Sequence, residues 1–164
     1  MATYTSSTNP DDCDLYEHRA KKIYLTWCSQ IVDIIEGLNV VDTWSLNDIG
    51  CNYGQVHKEI KKRNTHDRFD YVGYDVDKVF LEMAQRHFPE MKERFVELDI
   101  ETQTPRVGDI TICSEVLEHL DNPRTALENM LKTTSKCMIL RTFVGPNAIE
   151  FIQDNEELVA SEYK

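Results

Sequence analysis

The spacing of apolar residues changes near residue 44. From Leu15 to Leu38, the apolar residues Ile23, Trp27, Ile31, Ile34, Ile35 and Leu38 recur mostly at three- and four-residue steps, with Gly37 as a stop. That period predicts an amphipathic helix, or two short ones, started by Pro10-Asp11-Asp12. Residues 1–9 are polar and rich in Ser and Thr, which predicts a frayed tail. From Trp44 onward, short runs suited to strands alternate with helical patterns. Strands are predicted from Trp44 to Ile49 and over Phe69–Asp75, Arg94–Ile100, Asp109–Ser114 and Lys136–Phe143. Helices fall between them: Gln55 to Arg63, burying Val56 and Ile60; Lys78 to His87, burying Val79, Phe80, Met83 and Ala84; and a third starting at Asn122-Pro123 and running through Leu127, Met130 and Leu131. Such alternation is the pattern of an α/β domain with a parallel sheet.

The first strand runs into Gly50-Cys51-Asn52-Tyr53-Gly54 and then a helix. Gly50 and Gly54 let a ligand approach the backbone, and Asn52 tolerates a left-handed conformation where a third glycine is common. Dinucleotides want G-x-G-x-x-G at such a turn, but here the spacing is G-x-x-x-G with Asp48 just ahead. A carboxylate there repels a pyrophosphate and favours ammonium or sulfonium charge.

The composition narrows the class further. A length of 164 residues is one domain's worth. Five cysteines (Cys13, Cys28, Cys51, Cys113, Cys137) form an odd count without a C-x-x-C pair, and no apolar signal-like run follows the polar start, so reduced thiols in a cytoplasmic protein are expected. No stretch approaches the roughly 18 to 20 apolar residues of a membrane span. With 29 acidic against 18 basic residues the net charge is −11, which argues against a nucleic-acid partner. The basic run Lys58 to Arg63 reads as the solvated face of a short helix, and His57 and His66 as surface residues without metal-ligand partners.

Acids recur at the ends of successive strands. Asp75, 27 residues beyond Asp48, fits the strand-end acid that accepts ribose hydroxyls in nucleotide-binding α/β folds, while Asp77 suits the N-cap of the following helix. The stretch Leu46-Asn47-Asp48-Ile49-Gly50-Cys51-Asn52-Tyr53-Gly54 resembles motif I of the class I S-adenosylmethionine-dependent methyltransferases. The resemblance implies a Rossmann-like three-layer sandwich, with a mostly parallel five-stranded sheet in the order 3-2-1-4-5 and helices on both faces. It also implies S-adenosyl-L-methionine as cofactor, held by Asp48, Gly50, Cys51, Asn52 and Gly54 in the first turn and by Asp75 and Val76 after strand 2. Asp99 would bond the adenine amine, with Ile100 against the ring. A helix ahead of motif I often lids the substrate in this family, which would put Tyr16, His18 or Tyr24 near the site; a simple cover on the sheet is the rival reading.

The phrase Cys113-Ser114-Glu115-Val116-Leu117-Glu118-His119-Leu120, followed by Asp121-Asn122-Pro123, is similar to the segment after strand 4 in small-molecule methyltransferases, where it lines the pocket between cofactor and acceptor. Ser114 and Glu115 are the cofactor-side candidates. His119 is the candidate general base, with Glu115 beside it, because a histidine titrates near neutral pH; a helix residue bonded to backbone is the competing reading. Read as a helix, Glu115, Glu118 and His119 share one face and offer two oxygens and a nitrogen. Small-RNA 3′-terminal methyltransferases hold a metal with such a set plus a later histidine. No histidine follows His119, so no metal is expected.

The expected organisation is a tail (1–9), a helical cover (10–43), a cofactor-binding core (44–143) and an acidic C-terminal segment (144–164) forming a helix or lid. Family members usually add two further strands, which have no visible counterpart here. That suggests a truncated piece, or a fifth-strand edge covered by residues 147–164 or by a homodimer or other partner. The expected activity is methyl transfer to an oxygen or nitrogen of a small molecule, lipid or sugar. The alternatives are a catalytically incomplete S-adenosylmethionine-binding module acting as a partner or regulatory subunit and, disfavoured by Asp48, an NAD-linked enzyme.

Overall fold

A computed structural model describes the backbone of residues 10–22, 25–38, 42–143, 148–154 and 157–163, and the side chains of residues 14–21, 25–38 and 42–143. The predicted tail, Ile23, Tyr24 and the turn Val144-Gly145-Pro146 lie outside the described residues.

The N-terminal apolar period resolves into two helices, α1 (Pro10–Lys22) and α2 (Thr26–Gly37). They are followed by β1 (Trp44–Ile49), α3 (Gln55–Lys62), β2 (Phe69–Asp75), α4 (Lys78–His87), β3 (Phe95–Glu97), β4 (Gly108–Ser114), α5 (Pro123–Thr133) and β5 (Thr134–Arg141). The five strands form one parallel sheet in the order β3-β2-β1-β4-β5. β1 is central, with Leu46 opposite Tyr71 of β2 and Ile110 of β4. Alternate side chains leave opposite faces of the sheet. Leu46 and Tyr71 pack with Val32 and Ile35 of α2 and Val56 and Ile60 of α3 on one face; Ile49, Val72 and Cys113 pack with Ala126 and Met130 of α5 on the other. This three-layer α/β arrangement is the predicted fold, and its parallel strands bring all their carboxyl ends to one rim.

Several local expectations are corrected. β3 is only three residues long, so Asp99 stands in the turn beyond it. Val79, Ile34 and Leu131 are exposed. His57 is buried, wedged between the rings of Tyr71 and Phe88 at 4.9 and 4.8 Å. Burial pushes its pKa down to about 4. The basic run is only in part a solvated face: Lys61 and Lys62 are exposed, but Lys58 and Arg63 act as staples. Arg63 reaches Asp33 and Glu36 of α2 at 2.6 and 3.0 Å while bonding the buried Glu59 at 3.0 Å, and Lys58 donates to the Ala20 carbonyl at the end of α1 at 2.8 Å. Residues 148–154 and 157–163 do not form a helix: β6 (Ala148–Asp154) and β7 (Glu157–Tyr163) pair with each other as an antiparallel ribbon. Among the described residues, β5 pairs with β4 alone.

Candidate active site

The turn after β1 is built from left-handed residues. Gly50, Asn52 and Gly54 have φ of 72°, 52° and 80°. The amides of Gly50 and Cys51 both donate to the Tyr74 carbonyl at 2.8 and 3.0 Å, which folds the turn over the end of β2. A Cβ on Gly50 would stand 2.2 Å from Val116 Cγ2, so the close approach of the segment after β4 requires glycine there.

A cavity of about 380 Å³ opens at the carboxyl rim of the sheet. Every strand from β1 to β4 contributes to it, directly or through the residues that follow: Ile49, Gly50 and Asn52 after β1, Asp75, Val76 and Asp77 after β2, Leu98, Asp99 and Ile100 after β3, and Ser114, Glu115, Val116, His119 and Leu120 after β4. The N-terminal helices and the loop joining them close it with Tyr16, Arg19, Leu25 and Trp27.

Asp75 is the best-defined polar group on the wall. One carboxylate oxygen accepts from the Asn52 amide at 2.8 Å and the other from the Asp77 amide at 2.9 Å, so the side chain is fixed by the glycine turn and by the start of α4. Burial raises its pKa to about 6 against the pull of those two donors. Asp77 caps α4 by accepting from the Val79 amide at 3.0 Å. Asp77 thus takes the capping role expected of it. Asp99 spends one oxygen on the Glu101 amide at 3.0 Å.

Asp48, Cys51 and Gly54 are not among the lining residues. Asp48 is buried on the α2/α3 face of β1, where it accepts from the Tyr71 hydroxyl at 2.7 Å. Desolvation raises its pKa to about 7, and the charge of Asp75 adds to the rise. Cys51 is buried, and its Sγ would stand 2.8 Å from a Cβ on Gly73. Burial holds its thiol well above the ordinary value. Gly54 packs under Phe88 and Phe95 at the start of α3. These three residues shape the turn from behind.

The segment after β4 is not the helix that the metal reading assumed. Glu115 is left-handed, with φ 55°, and only Leu117–His119 form a single 3-10 turn. The three side chains therefore do not share a helical face: Glu115 pairs with Arg141, and Glu118 accepts from Thr142 at 2.9 Å. His119 reaches the cavity wall while remaining exposed.

Of the residues suggested for a lid, Tyr16 lines the cavity, stacked edge-on to Phe80 at 4.7 Å. His18 is exposed and is not a lining residue, and Tyr24 is outside the described residues. Arg19, Leu25, Trp27 and Gln55 were not anticipated. Arg19 follows Tyr16 at the i, i+3 spacing that places both on one face of α1, which is the one signal the sequence held for it.

Comparison with known proteins places this architecture. A family model described as a methyltransferase domain matches residues 47–136, which span β1 to the start of β5. The chain belongs to that methyltransferase family. Its domain is 27% identical over 118 residues to the ubiquinone biosynthesis O-methyltransferase of Aeromonas salmonicida (strain A449), a match covering 67% of this chain and 44% of that protein. The chain thus spans less than half the length of this curated relative. Among solved structures, the plantazolicin methyltransferase in complex with a pentazolic desmethylPZN analog and SAH superimposes with a TM-score of 0.64 at 20% identity, over 84% of this chain and 55% of that one. An amino pentose methyltransferase from Micromonospora echinaspora, solved with SAM bound, gives 0.63 at 19% identity, over 89% and 66% of the two chains. At these identities the structural likeness speaks for the fold. No helix among the described residues is long and apolar enough to cross a membrane.

Proposed function

We propose that the cavity at the carboxyl rim binds S-adenosyl-L-methionine and that the domain transfers its methyl group to an oxygen or nitrogen of a small molecule. The observation that carries this reading is the placement of Asp75. It sits at the tip of β2 with each oxygen fixed by one backbone amide, which leaves lone pairs for two further donors. A vicinal diol supplies two such donors. Asp99 has one oxygen left after its bond to Glu101, and it stands beside the apolar Ile100 and Leu98, a combination suited to an exocyclic amine on a flat ring. This set of acceptors therefore fits an adenosine group. Family membership and the O-methyltransferase activity named for the curated relative support the same reading.

The bound cofactor would supply an activated methyl group, and the chain's part is then mostly positioning. Gly50 and Asn52 bring backbone close to the ligand, while Val76, Ile100 and Leu98 offer apolar contact. Ser114 and Glu115 lie between the glycine turn and the acceptor side. His119, exposed at the same wall, accepts the proton that a hydroxyl or ammonium acceptor must lose. Aliphatic and aromatic residues of the cover, Leu25, Trp27 and Tyr16, exclude water from the wall opposite the sheet.

The test is transfer of label from methyl-labelled S-adenosylmethionine to a panel of small hydroxyl and amine acceptors, with His119→Ala compared across pH. The expected result is a labelled acceptor, with the alkaline-favouring limb of the rate profile lost in the variant. Label transfer that is identical in the variant at every pH would remove His119 as the base. Absence of transfer to any acceptor by a chain that still binds S-adenosylhomocysteine would favour the binding-module alternative.

A further inference from the structure

Arg141, the last residue of β5, does not line the cavity, yet it touches three residues that do. Its guanidinium meets a Glu115 carboxylate oxygen at 2.5 Å, lies 3.4 Å from Ser114 Oγ, and stands 5.3 Å from the centroid of the Trp27 ring. Its own carbonyl accepts from the Glu115 amide at 2.8 Å, which helps hold Glu115 in its left-handed conformation. Thus one side chain ties the segment after β4 to the start of α2 across the top of the sheet.

The charges on the cavity wall give this contact a consequence. Four carboxylates line it: Asp75, Asp77, Asp99 and Glu115. Asp75 and Asp99 are oriented by backbone amides and keep acceptor capacity, whereas Glu115 is tied to a full positive charge. A free carboxylate in that position would favour a cationic ligand over a neutral one of the same shape. A paired carboxylate does so far less.

We propose that Arg141 is a positioning residue that sets the site's charge selectivity. By pairing with Glu115 and stacking on Trp27, it moderates the preference for the sulfonium form of the cofactor over the neutral thioether product. This rests on the cofactor reading given above and goes beyond it by assigning the balance between substrate and product affinity to a residue outside the cavity. Both partners are about two-fifths exposed, Arg141 at 38% and Glu115 at 39%, so solvent screens the pair and the effect is modest.

The experiment is calorimetric titration of the full chain with S-adenosylmethionine and with S-adenosylhomocysteine. It compares the native protein with Arg141→Met, Arg141→Lys, Glu115→Gln and the Arg141→Met/Glu115→Gln double variant. Arg141→Met is expected to shift the ratio of the two dissociation constants toward the sulfonium by roughly threefold or more. Arg141→Lys should stay near the native ratio, and the double variant should return to it. A merely structural role would weaken both ligands together with an unchanged ratio, and that result would overturn the assignment. Failure of the native chain to bind either ligand would instead overturn the cofactor reading, and the assignment with it.

Discussion

Asp48→Asn is the substitution whose effect the structure defines most fully. Asp48 is 2% exposed, its hydrogen bond comes from the Tyr71 hydroxyl, and burial has raised its pKa from an ordinary 3.8 to about 7. Between those two values the folded chain holds a proton that the unfolded chain has released. Stability must therefore fall as pH rises through this window, because the state that binds fewer protons gains. Each pH unit of offset is worth about 1.4 kcal/mol, so the full interval corresponds to ~4 kcal/mol. Asparagine keeps an oxygen to accept from Tyr71 and never ionises. The variant should thus match the native chain near pH 4 and exceed it above pH 7 by on the order of 2–4 kcal/mol. The assay is urea denaturation at several pH values, read as the difference between variant and native chain. The difference is the informative quantity because His57 drives the raw curve in the opposite direction over part of the same range. A variant that is less stable than the native chain at pH 8, or a difference that does not change with pH, would show that Asp48 does not hold a proton in the folded chain.

Two other substitutions probe independent features. His57 is neutral in the fold down to about pH 4, whereas an ordinary histidine protonates near 6.5, so its contribution is lost as pH falls through that window; His57→Phe should flatten the loss by ~3 kcal/mol in the same denaturation series. Gly50→Ala places a methyl group 2.2 Å from Val116 Cγ2 on a residue with φ of 72°. It should lower stability by about 2–4 kcal/mol and weaken ligand binding, with Val116→Ala in the same chain recovering part of the loss, as measured by thermal unfolding and titration.

The core was legible because its signals are local. β2 and α4 begin and end where the sequence places them, since a β-rich run, an acid at the strand tip and an Asp N-cap all lie within a few residues of each other. The acids at the ends of β2 to β4 marked three sides of the cavity wall, while the sheet order came from the resemblance to the methyltransferase family. What was misread depended on partners far along the chain. His57 sits in a polar-looking helix, and it is buried by the rings of Tyr71, Phe88 and Phe95, all outside that helix. The spacing of Glu115, Glu118 and His119 suggested a helical face, but the left-handed Glu115 and its ties to Arg141 prevent one. Asp48 looked like a ligand contact because of its place in the glycine motif; the pleat of β1 turns it to the opposite side, toward Tyr71. Arg19 and Trp27 enter the site by the docking of α1 and α2, which no local period specifies.

The acid-lined cavity at the rim of the sheet is the proposed site for S-adenosylmethionine and its product. Titration calorimetry with S-adenosylhomocysteine on the native chain and on Asp75→Ala tests that assignment most directly, since Asp75 is the wall carboxylate with both oxygens held ready by backbone amides. The native chain is expected to bind in the micromolar range, with a loss of at least about tenfold in the variant, which still folds. Equal affinity in the two proteins, or no binding by a folded native chain, would contradict the assignment.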